Sequence, residues 1–281
     1  MRATIAKHDM LKFNDKIAIG VSGGKDSMTL LSILAKLEKS FPKARLMAIT
    51  VDEGISGYRD EALNIAEKFC QKLAVEHIVV SFKDLFGFEF DELAKDLIMK
   101  DPSIERLTPC AYCGVLRRRA LNTAARNCEA AKLATGHNLD DETQTILLNV
   151  FHGDPQRIAR VKPVSSAAHP KFIRRIKPLC EVLEKEATLY AYLKQIEFQS
   201  IPCPYSYAAL RNDIRTMLNR MEEKHAGLKY TVYRSAEKLR NHIGEALPAT
   251  GLNSCKLCGE PTVHAICQPC KLLENFKLYR G

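Results

Sequence analysis

A chain of 281 residues, 46% hydrophobic and 27% charged, has the composition of a folded protein with a sizeable core. Disorder and a disulfide-stapled miniprotein are excluded. Lys and Arg number 42 against 33 Asp and Glu, a formal charge of +9 that favours a polyanionic partner, nucleic acid first. No run approaches the roughly 18 apolar residues of a membrane span, and residues 1–10 lack the apolar centre of a signal peptide, so a cytoplasmic protein with no membrane partner is expected.

Along the chain, residues 16–21 (KIAIGV), 45–52 (RLMAITVD), 75–80 (VEHIVV) and 131–135 (AKLAT) are short, β-branched, apolar runs that predict buried strands. Apolar residues at helical spacing over 27–39, 58–72 and 116–127 separate them. The fold class is therefore α/β, a parallel sheet with helices on both faces, whose ligands sit beyond the carboxyl ends of the strands. Residues 157–177 hold seven Lys or Arg and no acid and read as a basic loop, with a fifth strand over 171–179. Helices over 183–196, 207–224 and 231–243 make a small all-α region. A linker over 247–253, with Pro248, Gly251 and Asn253, leads into a Cys-rich tail. The division is an α/β unit over 1–180, a helical region over 181–250 and a tail over 251–281.

Ser22-Gly23-Gly24-Lys25-Asp26-Ser27 joins the first strand to the first helix. Two glycines let the backbone approach an anion, the following helix N-terminus donates N–H groups, and Ser22, Lys25 and Ser27 add donors. It is not a Walker A loop, which needs Gly where Ile19 stands and Ser or Thr where Asp26 stands. A plain Gly-rich turn with a Ser cap is the rival reading; the strand-turn-helix context favours a phosphate loop, and the motif resembles the PP-loop of ATP pyrophosphatases. Asp52 ends the second strand and can cap, solvate or bind. Gly136-His137-Asn138-Leu139-Asp140-Asp141 follows the fourth strand and faces the same crevice. Its paired acids can hold Mg²⁺ against phosphates, or Asp140 can cap a helix. His137 alone reads as packing.

Ten cysteines in a reducing compartment point to metal or chemistry rather than disulfides. Cys110-x-x-Cys113 precedes a helix expected from about residue 115, whose dipole lowers thiol pKa values and gives half of a soft-metal site. Cys203 sits between Pro202 and Pro204. Cys70, Cys128 and Cys180 read as core thiols. Cys255-x-x-Cys258 and Cys267-x-x-Cys270 satisfy one tetrahedral Zn²⁺ with no open position, a structural ribbon to which His264 is surplus. Such a closed ribbon is expected to be separable from the other cysteines. The basic residues Arg117, Arg118, Arg119, the 157–177 segment, Arg211 and Arg215 read as RNA phosphate contacts or as a solvated surface.

SGGKDS, CAYCGVLRRRAL, GHNLDDE, LLNVFHGDPQRIAR, IPCPYS and the closing CxxC pairs together resemble the tRNA 2-thiouridine synthetase family of the PP-loop superfamily, its wobble-uridine branch above all. Many members add an N-terminal zinc finger, whereas the first cysteine here is Cys70. The resemblance implies that Cys110, Cys113 and Cys203 ligate a 4Fe-4S cluster with one open iron. It implies that Ser22, Gly23, Gly24, Lys25, Asp26 and Ser27 bind ATP, that Asp52 lies near the adenosine, and that Gly136 packs under it. Asp141 becomes a catalytic acid or Mg²⁺ ligand and Arg117 an activating cation. The implied partners are tRNA, a ubiquitin-like sulfur-carrier protein and a second copy in a homodimer. The implied reaction is ATP-dependent adenylation of a uridine C2 oxygen followed by sulfur insertion. Alternatives are a 2-thiocytidine synthetase, a T-loop 2-thiouridine synthetase, or a non-enzymatic zinc-ribbon RNA-binding protein.

Overall fold

The computed structural model describes residues 1–40, 43–99, 108–166, 169–206, 210–246 and 251–275. Five parallel strands form one sheet: β1 (Lys16–Gly20), β2 (Arg45–Asp52), β3 (Glu76–Ser81), β4 (Lys132–Thr135) and β5 (Arg174–Ile176), in the order β3-β2-β1-β4-β5. The chain first winds outward from β1 through β2 to β3, then returns to the other side of β1. Gly20 pairs with Ile49 on one side and Thr135 on the other, so the loops after β1, β2 and β4 open side by side at this reversal, where α/β sheets form their crevice.

Alternation along β1 divides the core. Ile17 and Ile19 face a layer built from Leu30, Leu31 and Leu34 of α2 (Lys25–Glu38), while Ala18 faces Ala124 and Ala125 of α6 (Pro109–Asn127). A strand buried on both faces needs apolar residues at every position, which is why these runs are continuous rather than alternating. The remaining helices of the first half are α1 (Arg2–Lys7), α3 (Arg59–Leu73), α4 (Phe82–Phe86) and α5 (Phe90–Met99). Then follow α7 (Leu139–Phe151), α8 (Pro155–Arg160), α9 (Glu184–Leu193), α10 (Leu210–Lys224) and α11 (Leu228–Ala246). Helix α9 packs on α2, α10 on α7, and α11 on α7 and α8. The tail is a short antiparallel pair, β6 (Asn253–Ser254) and β7 (Pro261–Thr262), followed by α12 (Gln268–Asn275).

Three expectations change. The 157–177 segment is not one loop, because its start completes α8, capped by the Asp154 side chain on the Arg157 N–H, and its end is β5. The fifth strand shrinks to three residues. The helix carrying the CxxC pair begins at Pro109, a residue suited to a first helical turn, rather than near 115. The start of the helix expected over 207–224 and the linker at 247–250 lie outside the described residues. No described helix is long and apolar enough to cross a membrane.

Candidate functional site

The loop after β1 is held open by its own side chains. Ser27 Oγ donates to the Gly24 carbonyl (2.9 Å), accepts from the Ser22 N–H (3.0 Å) and lies 3.1 Å from Ser22 Oγ. Gly24 caps α2 in extended conformation without a side-chain cap, leaving the first-turn N–H groups directed at the crevice. Gly23 has φ +81, and a Cβ there would lie 2.7 Å from the Ala62 carbonyl, so glycine is required twice over. Gly136 answers it from the β4 side: a Cβ would meet the Ser27 N at 3.0 Å.

Lys25 pairs with Asp26 (2.8 Å) and Glu184 (2.7 Å). Burial lowers its pKa, but the two carboxylates outweigh that and hold it above its ordinary value. Burial pushes the Asp26 carboxyl up against the pull of Lys25, and its Oδ1 is buried without a hydrogen bond. Asp141 is likewise pushed up by burial. Its Oδ2 accepts from the Asn138 N–H (3.2 Å) and its N–H donates to Asn138 Oδ1 (3.0 Å), closing a capping box on α7. The cap is thus Asn138, not Asp140. Asp140 instead pairs with Lys229 and accepts from the Glu184 N–H (2.8 Å). Asp52 Oδ1 accepts from the Gly54 N–H (2.9 Å), fixing the turn after β2. His137 is exposed, with Nδ1 2.9 Å from Thr135 Oγ1, so the packing role expected of it is not what the structure shows.

Cys110 and Cys113 are one turn apart in the first turns of α6. Cys203 packs into the same apolar cluster with Tyr205, whose carbonyl accepts from the Cys110 thiol (3.1 Å). Against the lowering expected from the helix end, burial raises both pKa values, Cys113 to about 11, and outweighs the nearby Arg117 charge. Arg117 Nη2 lies 3.4 Å from Cys113 Sγ, and its Nε lies 2.6 Å from Glu53.

Three residues escaped the sequence reading because their partners are remote in the chain. Glu53 also pairs with Arg59 (2.8 Å), which donates to the carbonyls of Ser22 (3.2 Å) and Val51 (2.5 Å). Gln199 donates its backbone N–H to the Gly23 carbonyl (2.9 Å) and its side chain to that of Tyr58. Only the position of Glu53 and Arg59 in the stretch following β2 could have drawn attention to them.

The basic residues converge beside this site. The guanidiniums of Arg117, Arg157, Arg211 and Arg175 lie close enough to that of exposed Arg118 to repel it. Such crowding of guanidiniums is relieved by an anion. Arg211 also donates to Thr145 Oγ1 (2.9 Å) and Arg215 pairs with Glu184 (3.1 Å).

In the tail, the sulfurs of Cys255, Cys258, Cys267 and Cys270 all lie within 4.8 Å of one another. Gly259, at φ +68, makes the turn of the first knuckle, and the Cys267 N–H donates to Cys255 Sγ (3.2 Å). This unit packs against α6: Leu272 and Leu273 of α12 are buried in the same cluster as Cys113 and Leu116, and Glu260 pairs with Arg119 (2.8 Å) and Arg126 (2.9 Å) of α6.

A nucleotide loop at the reversal of a parallel sheet defines an ATP-handling α/β protein, and residues 2–222 match the PP-loop domain family. The tRNA 2-thiolation protein NcsA of Haloferax volcanii is 39% identical over 270 residues, 92% of this chain and 82% of that protein. Cytoplasmic tRNA 2-thiolation protein 1 of Danio rerio is 35% identical over 99% of this chain and 78% of its own. The solved U34-tRNA thiolase NcsA of Methanococcus maripaludis, with its [4Fe-4S] cluster, superposes with a TM-score of 0.81 at 34% identity, covering 98% of this chain and 86% of that one. The chain belongs to the PP-loop family that includes the tRNA 2-thiolation proteins.

Proposed function

We propose that this protein is an ATP-dependent tRNA uridine 2-sulfurtransferase acting at the wobble position. The observation that carries the reading is the joining of the open loop at 22–27 to a cysteine site by continuous side-chain contacts, in a chain so similar to a U34-tRNA thiolase. Ser22, Gly23, Gly24, Lys25, Asp26 and Ser27 hold the ATP phosphates, with Asp52 at the adenosine side. The uridine C2 oxygen attacks the α-phosphorus, pyrophosphate leaves, and the adenylated oxygen then departs as AMP when sulfur bonds to C2. Arg117 and the guanidiniums around Arg118 neutralise the charge of the reacting phosphates and RNA backbone.

Cys110, Cys113 and Cys203 supply three soft donors from two remote segments, a set that suits a 4Fe-4S cluster. When bound, that group offers one iron without a protein thiolate, where sulfur can be delivered. The unpaired Asp26 Oδ1 and the nearby Asp141 suit Mg²⁺. Cys255, Cys258, Cys267 and Cys270 would hold Zn²⁺ in a closed site. The reading includes a cytoplasmic location, a homodimer, a ubiquitin-like sulfur carrier and the division at 180 and 250.

Mass spectrometry of tRNA nucleosides from a strain lacking the protein tests it. Loss of 2-thiouridine from wobble-position fragments is expected; loss of 2-thiocytidine, or of 2-thiouridine from the T-loop, would favour those alternatives. Asp26→Ala should abolish tRNA-dependent AMP formation while the metal content stays, and unchanged AMP formation would remove the nucleotide assignment.

A further inference from the structure

Glu53 lies between the two halves of the site and is 1% exposed. Its Oε2 is 2.8 Å from Arg59 Nε and its Oε1 is 2.6 Å from Arg117 Nε. Both contacts are ion pairs without hydrogen-bond alignment at the Nε atoms. Arg59 is itself buried and grips the Ser22 and Val51 carbonyls, while Arg117 reaches Cys113 Sγ. Three side chains therefore connect the first residue of the nucleotide loop to a thiol on α6.

The backbone of Glu53 is fixed. Its carbonyl accepts from the Phe90 N–H (2.7 Å), and the turn beside it is closed by Asp52. Any adjustment has to be made by the side chain. Each oxygen serves one guanidinium, so a movement that tightens one contact loosens the other. A buried carboxylate shared in this way is a physical coupling between two sites, and it is reciprocal.

We propose that Glu53 is a positioning residue that couples the state of the nucleotide loop to the cysteine site through Arg59 and Arg117. What the two halves do rests on the thiolation reading; their connection rests on the contacts alone.

The test is a double-mutant cycle on nucleotide affinity. The dissociation constant of α,β-methylene-ATP is measured by calorimetry on the full chain as wild type, Glu53→Gln, Cys113→Ser and the double variant. The double variant is expected to depart from the product of the single effects by at least about threefold. Effects that multiply within error overturn the proposal. Should Glu53→Gln lack a cooperative thermal transition, Glu53→Asp takes its place: it keeps the charge but is one methylene too short to face both guanidiniums, and the same departure is required. Multiplying effects in a protein that thiolates tRNA overturn the coupling alone. A departure in a protein that forms no 2-thiouridine keeps the coupling and overturns the thiolation reading, and a wild type that binds no nucleotide overturns both.

Discussion

The two cysteine groups of this molecule are opposites in construction. The tail draws four sulfurs from a span of 16 residues into a closed set within 4.8 Å, using two knuckles and a positive-φ glycine. The other group takes two sulfurs from the start of α6 and one from a loop 90 residues later, and places an arginine on one of them. Local spacing alone builds the first, whereas the second exists only once the sheet and helices are in place. A site made by tertiary folding can sit at a crevice next to other chemistry; a site made by local spacing is suited to holding a structure together.

This contrast can be broken by substitution, starting with the largest effect. Changing Cys110, Cys113 or Cys203 to Ala should each abolish iron binding and thiolation, because two thiolates cannot retain the cluster. Anaerobic metal analysis and nucleoside mass spectrometry read both, and iron retained at the wild-type level in any of the three would break the group apart. Removing Leu272 and Leu273 together by Ala substitution should cost roughly 4–10 kcal/mol, at about 2–5 per buried leucine. It should also lower iron content, since both belong to the apolar cluster that holds Cys113. Chemical denaturation with iron analysis checks this, and unaltered iron would restore the independence expected from sequence.

Glu260→Gln has a smaller expected effect. Its carboxylate is buried, but Arg119 and Arg126 retain 21% and 31% side-chain exposure, so the loss is about 1–2 kcal/mol rather than that of a fully buried pair. The variant should leave nucleotide affinity unchanged, as calorimetry would show. Smallest is Cys128→Ala, at the partly exposed end of α6, which should shift stability by under about 1 kcal/mol and leave iron at the wild-type level. A larger drop in iron would add Cys128 to the set.

The sheet was legible in the sequence because each of its first four strands is a short apolar run flanked by a turn, and the phosphate loop because a Gly pair followed one of them. The zinc-type spacing was legible for the same reason: its information is local. Helices α4 and α5 were not, since Gly87 interrupts a stretch whose Phe residues look neither alternating nor helical until they meet Tyr205 and each other. The basic segment misled because charge says nothing about backbone, and Asp154 capping Arg157 made a helix where composition read a loop. The raised thiol pKa values were not legible because burial is set by tertiary packing. Glu53, Arg59 and Gln199 owe their placement to partners between 6 and 176 residues away.

Gly136 touches the nucleotide loop with its backbone only, and any larger side chain there runs into the Ser27 amide. Every replacement should therefore be poorly tolerated in a saturation-mutagenesis screen, from Ala upward, although the residue contributes no functional group. A tolerance map of this protein would rank Gly136 with Cys110, Cys113 and Cys203, and intolerance at this position would report the closeness of two loops rather than a chemical role of its own.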